Sequence, residues 1–209
     1  MKSRPAVIVL AAGAGSRFGA AGHKLTQRLG ASTVLASTLR HAIATHLPVV
    51  VVTTEALADA ARHQVASRDV VVVPDVGTPG AQTLGIGYSI AAGVSARPHA
   101  AGWLVLPGDM PLVQTSTVNA VAAALDHHPV AYAQYRGRRG HPVGFAAELY
   151  SELVMLSGDE GAKRLVARYP AHGVDVDDSG VLLDVDTEAD LDKLRVAHAA
   201  QGPTATVAR

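Results

Sequence analysis

Short apolar runs alternate with stretches of helical periodicity along the chain. Ala6–Leu10, Val49–Val52, Val70–Val73, Trp103–Leu106 and Val130–Tyr135 have strand length, and the Val-rich runs suit strands buried on both faces. Between them the spacing predicts helices: one capped by Thr33 and running to about His46, with Val34, Leu35, Leu39 and Ile43 inward; one over 56–66; one ending near Gly93. Further helices are expected over 117–126 behind a Thr115 cap, over 157–169 with Asp159 as cap, and after Thr187. Thr187 with Asp190 approximates a capping box for that last helix. Strands alternating with helices argue for a parallel sheet covered on both faces.

The turns between these elements carry the chemistry. The first strand runs directly into Ala11-Ala12-Gly13-Ala14-Gly15-Ser16-Arg17-Phe18-Gly19, with Lys24-Leu25 following. Glycines at a strand's carboxyl end expose backbone N–H groups where open α/β sheets bind ligands. Arg17 and Lys24 add positive charge, and the combination suits a polyphosphate. Two other readings stand beside this one: a plain turn with surface cations, and a dinucleotide-binding turn with Glu55 as ribose acid. The second needs a helix starting inside the glycines, and helical periodicity begins only near Val34.

Asp109 lies between Pro107 and Pro111 at the end of the fourth strand, a stiff setting for a carboxylate facing phosphates or a divalent ion. Its alternative is a simple turn, with Thr115 the better helix cap. Arg136-Gly137-Arg138-Arg139-Gly140-His141-Pro142-Val143-Gly144-Phe145 reads as a basic, flexible loop entering another short strand, either solvated or holding a second phosphorylated molecule. Asp184 and Asp186 alternate onto one side of an extended segment.

Composition narrows the classes. Equal basic and acidic counts, 18 each, give no basic surface for nucleic acid or anionic membrane. No cysteine occurs, which removes disulfides, thiolate metal sites and a cysteine nucleophile. No signal peptide or membrane-spanning run is evident, so a cytoplasmic protein with neither nucleic-acid nor membrane partner is expected. The 209 residues suit one domain, taken as 1–200, with 201–209 as a flexible C-terminal tail.

The run L-A-A-G-x-G-x-R-F-G followed by K-L resembles the opening of the MobA/MocA-like nucleotidyltransferases. Four later segments resemble that family in the same order: P-G-D-M-P, G-H-P-V-G-F, L-S-G-D-E-G-A and D-V-D-T-x-x-D. The resemblance implies a Rossmann-like three-layer α/β/α sandwich of the nucleotide-diphospho-sugar transferase type, mostly parallel with one antiparallel strand. It implies nucleotide binding by Leu10, Ala11, Ala12, Gly13, Gly15, Arg17, Lys24, Gln82, Thr83 and Asp109. It implies catalytic roles for Arg17, Lys24, Asp109 and His141, and a Mg2+ ion on Asp109 and Asp186, with Asp186 favoured over Asp184. Ala12, where guanylyl-transferring relatives tend to carry glycine, and the His-Pro-Val piece lean toward CTP. The expected reaction moves CMP from CTP onto a molybdopterin-type acceptor, with a molybdoenzyme as recipient partner and the chain a monomer or weak oligomer. GTP or a sugar phosphate as substrate, an NADP-dependent oxidoreductase, and a non-catalytic cofactor carrier are the competing expectations.

Overall fold

The computed structural model describes residues 3–13, 18, 22–75 and 84–200. Nine strands occur among these residues: β1 (Ala6–Ala11), β2 (Arg28–Leu29), β3 (Ser32–Thr33), β4 (Val49–Thr53), β5 (Val70–Val72), β6 (Gly102–Pro107), β7 (Val130–Tyr135), β8 (Arg138–Ala146) and β9 (Ala171–Asp175). The α-helices are α1 (Val34–Ile43), α2 (Glu55–Arg62), α3 (Gly85–Ser95), α4 (Thr115–Ala124), α5 (Tyr150–Leu153), α6 (Lys163–Arg168) and α7 (Glu188–Ala200). Seven strands form one sheet in the order β5-β4-β1-β6-β8-β7-β9, and β2 pairs with β3 in a small hairpin. Every neighbour pair in the large sheet is parallel except β6–β8 and β7–β8, so β8 is the one reversed strand. This is the mostly parallel, Rossmann-like α/β arrangement that the resemblance implies.

Alternation along the strands builds two cores. Val7 and Val9 of β1 face one way with Val51, Leu104 and Leu106, under α1, α2, α4 and α7. Ala6 and Ile8 face the other way with Val50, Val52, Trp103 and Phe145, under α3, α5 and α6. Burial on both faces explains why β1, β4 and β6 read as continuous apolar runs. Among the described residues no helix is long and apolar enough to cross a membrane.

Several local expectations need correction. The segment 136–145 is no flexible loop: β7 and β8 form a tight hairpin whose central residues, Arg136 and Gly137, have φ of 49° and 74°. Positive φ at both central positions matches strand twist in a two-residue turn. Helix α6 begins at Lys163, behind Ala162, with no side-chain cap, so Asp159 does not cap it. Ile43 is 40% exposed, although Val34, Leu35 and Leu39 are buried as expected. Helix α2 ends at Arg62, short of residue 66.

Thr115 does not cap α4; its hydroxyl donates to the carbonyl of His41 at 3.1 Å. The start of α4 is held instead by Asp178, which accepts from the Gln114 amide at 2.9 Å and the Thr117 hydroxyl at 2.6 Å. A cap supplied from 61 to 64 residues away leaves no local signal. Two local caps are as expected. Thr33 accepts from the Ala36 amide, and Thr187 and Asp190 bond each other's amides. The tail at 201–209 lies outside the described residues.

Candidate active site

The site is assembled at the carboxyl ends of β1 and β6. Gly108, just past β6, donates its N–H to the Leu10 carbonyl at 2.8 Å. The buried Thr38 hydroxyl of α1 reaches the Gly108 carbonyl at 2.9 Å. A Cβ on Gly108 would stand 2.9 Å from that same Leu10 oxygen, so only glycine lets the two strands' exits approach this closely. Asp109 is therefore fixed by its neighbours' backbone before its own side chain makes any contact.

The second acidic segment is tied directly to the first. The Val185 amide donates to the Asp109 carbonyl at 3.0 Å, and the Val185 side chain is fully buried. With Val185 turned inward, the flanking Asp184 and Asp186 turn outward, as extended alternation requires. Asp109, Asp184 and Asp186 each present an oxygen within 4.8 Å of the others. Asp184 thus joins the cluster together with Asp186.

Lys24 closes the group. Its Nζ donates to Asp109 Oδ2 at 2.5 Å and to Asp186 Oδ1 at 3.0 Å. Burial opposes the charged ammonium, but the carboxylate of Asp109, and then Asp186, outweigh it, so the Lys24 pKa is raised above the ordinary lysine value. Among the described residues, one cation against three carboxylates leaves a formal charge of −2. Two carboxylates about 5 Å apart repel by roughly 3 kcal/mol at an effective dielectric near 20, less where water screens the exposed Asp184. Asp109 Oδ1 is buried and makes no hydrogen bond among the described residues.

His141 lies on β8 between Arg139 and Val143. Burial pushes its imidazole below the usual histidine pKa, against the opposing pull of the Val105 carbonyl, Asp109 and Asp184. The ring is consequently neutral near pH 7 and is suited to hydrogen bonding rather than to carrying charge. Arg139 stacks over the Tyr132 ring at 4.0 Å, and Arg136 lies 5.1 Å from the Tyr135 centroid. These arginines project from the hairpin that carries His141.

Leu10, Ala11, Ala12 and Gly13 stand at the end of β1 as expected. Gly15, Arg17, Gln82 and Thr83 lie outside the described residues. Elsewhere in the fold, α3 starts at Gly85 with φ of 65°, and a Cβ there would fall 2.1 Å from Gly158. Paired amide bonds, Gly158 to Leu84 and Gly87 to Gly158, both 2.9 Å, lock the Ser157–Gly158 segment onto this helix start. Sequence reasoning missed Thr38, whose signal was a polar residue on an apolar helix face. It also missed His23, which carries no pattern of its own.

Residues 7–174 match the MobA-like NTP transferase domain. The chain belongs to that family. That family is one of NTP transferases, not of dinucleotide-dependent oxidoreductases. PucB, a purine catabolism protein of Bacillus subtilis (strain 168), is 32% identical over 118 residues, 54% of this chain and 57% of PucB. The alignment thus spans little more than half the length of that curated relative. The Mycobacterium sp. strain JC1 homologue of Rv0371c is 28% identical, covers 96% of this chain and 100% of its own, and superposes with a TM-score of 0.81. A manganese complex of Rv0371c from Mycobacterium tuberculosis H37Rv is 28% identical, with 93% and 100% covered and a TM-score of 0.75.

Proposed function

We propose that this MobA-like transferase moves CMP from CTP onto a phosphate of a molybdopterin-type acceptor and releases pyrophosphate. The observation that carries the reading is the Lys24 ammonium held between Asp109 and Asp186. An acceptor phosphate oxygen forms a bond to the α-phosphorus while the bond to the bridging β-oxygen breaks, and that oxygen leaves with pyrophosphate. The attacking oxygen is already anionic at neutral pH, so the chain needs no nucleophile and no strong base of its own. What it must overcome is repulsion between two polyanions.

Among the described residues the donor set fits a hard divalent cation: oxygen ligands only, net negative charge, and a buried Asp109 oxygen without a partner. Asp109 and Asp186 would hold Mg2+, with Asp184 beside them. Bound there, the ion would supply charge neutralisation for the α-phosphate and the acceptor phosphate. Lys24 would turn its ammonium onto the α-phosphate, Arg17 would take the β- and γ-phosphates, and the Gly13 and Gly15 amides would cradle the chain of phosphates. Gln82 and Thr83 would touch base or ribose. His141, neutral, would hydrogen-bond the acceptor, and the hairpin arginines would face its phosphate. Alignment of this kind is worth about 7–11 kcal/mol.

The test is pyrophosphate release from CTP, GTP, ATP and UTP, each with molybdopterin and Mg2+. Release with CTP in clear excess supports the reading. Release with GTP alone reassigns the base, and silence with all four removes the reading.

A further inference from the structure

We propose that His23 is a positioning residue that clips Gly13, at the exit of β1, to the helical turn bearing Lys24, so that the strand exit and the ammonium are presented to the phosphates together. The proposal rests on the transfer reading above. His23 sits immediately before the single turn Lys24–Thr26 and serves as its cap. Its Nδ1 accepts from the Leu25 amide at 3.1 Å, while its Nε2 lies 2.9 Å from the Gly13 carbonyl. A ring nitrogen that accepts an N–H carries no proton, and one facing a carbonyl must carry one. The two bonds therefore assign a neutral ring protonated at Nε2.

Each bond fixes a different part of the site. Holding the Gly13 carbonyl fixes the exit of β1 against the Lys24 turn, and among the described residues nothing lies within 4 Å of where a Gly13 Cβ would stand, which leaves that side open to a ligand. The bond to Leu25 fixes the turn from which the Lys24 stem extends. Leu25 is 3% exposed, and Gln27 beyond it accepts from the Val34 amide at 3.0 Å, so the far side of this turn is anchored already. His23 supplies the anchor on the near side, toward the phosphates. The side chain is half-buried and belongs to no apolar cluster, so this contact is its visible role.

The two bonds can be separated by substitution. Asn places an acceptor where Nδ1 stands and is a good cap, but it cannot reach Gly13. Gln places a donor where Nε2 stands and forfeits the cap. In CTP turnover with molybdopterin and Mg2+, His23→Asn should raise KM for CTP about tenfold with kcat within about twofold, because ground-state phosphate binding loosens. His23→Gln should lower kcat about tenfold with KM within about twofold, because Lys24 acts on charge that develops in the transition state. Hydrogen exchange at the Leu25 amide should stay slow in the unmodified chain and His23→Asn, and quicken in His23→Gln.

A residue with a merely structural role would shift both parameters alike through stability. Equal losses in both variants, or unchanged parameters in His23→Ala, overturn the proposal. Normal Leu25 exchange in an unmodified chain that never releases pyrophosphate would instead sink the transfer reading, and this proposal with it.

Discussion

Lys24 spans two carboxylates where a divalent ion would also sit, and this gives it a double effect. Removing one fixed donor to developing charge typically costs roughly 3–4 kcal/mol, or a hundredfold to a thousandfold in rate. Lys24→Met and Asp109→Ala should each lose at least about a hundredfold in kcat while keeping the wild-type circular dichroism spectrum. The two part company without nucleotide. Lys24→Met, having lost the competing ammonium, should bind Mn2+ more tightly than the unmodified chain, whereas Asp109→Ala should bind it more weakly. Calorimetric titration with MnCl2 decides; weaker binding in Lys24→Met would mean that the lysine supports the ion rather than competing with it. Asp109 and Lys24 were legible as single residues because each stands in a motif with its own chemistry. Their direct contact was not, since 85 residues separate them. His23 was silent for the same reason: its partner carbonyl belongs to another element.

At the scale of elements, the caps separate what is local from what is not. The Asp190 carboxylate receives the Thr187 hydroxyl at 2.7 Å, and this bond, against desolvation, holds its pKa below the ordinary aspartate value. A depressed carboxylate contributes stability that is complete above the unfolded pKa and is lost as pH falls through the folded one. The start of α7 should therefore stay protected down to about pH 4 and fray below it. Hydrogen exchange across α7, compared between the unmodified chain and Asp190→Ala, measures this. Fraying that sets in near pH 6 would point to a histidine instead.

Asp178, 3% exposed, satisfies the Gln114 and Gly180 amides and the Thr117 hydroxyl. Asp178→Ala strands these donors and should cost about 2–3 kcal/mol, a fall in Tm of roughly 5–10 °C. A smaller drop than about 2 °C would show that water replaces the carboxylate. Thr187 and Asp190 were readable because a capping box closes within four residues. The Asp178 cap was not, and the same contrast separates the misassigned 136–145 loop from the hairpin. Its arginines and glycines look flexible in isolation, yet pairing with β6 and β7 makes Arg138–Ala146 a nine-residue strand behind a two-residue turn.

For the whole molecule, ligand binding should register as linked stability. CTP at a hundred times its Kd adds about 2.7 kcal/mol, which for a chain of this size raises Tm by roughly 5–10 °C. That rise should require a divalent cation, since the acidic cluster otherwise repels the phosphates, and it should exceed the rise with GTP. A shift of equal size for both nucleotides, or one indifferent to Mg2+, would count against the assignment of base and ion.

Local pattern is enough for the class of fold, because strands buried on both faces must be apolar throughout and helices covering them must repeat near every fourth residue. It also determined which residue types stand at each strand exit, since glycine and proline constrain the backbone locally. Which of those residues meet depends on packing. The Val185 amide on the Asp109 carbonyl, Lys24 between two aspartates and the reversal of β8 all depend on contacts far apart in the chain. Such contacts arise from packing the two cores, and no local pattern encodes them.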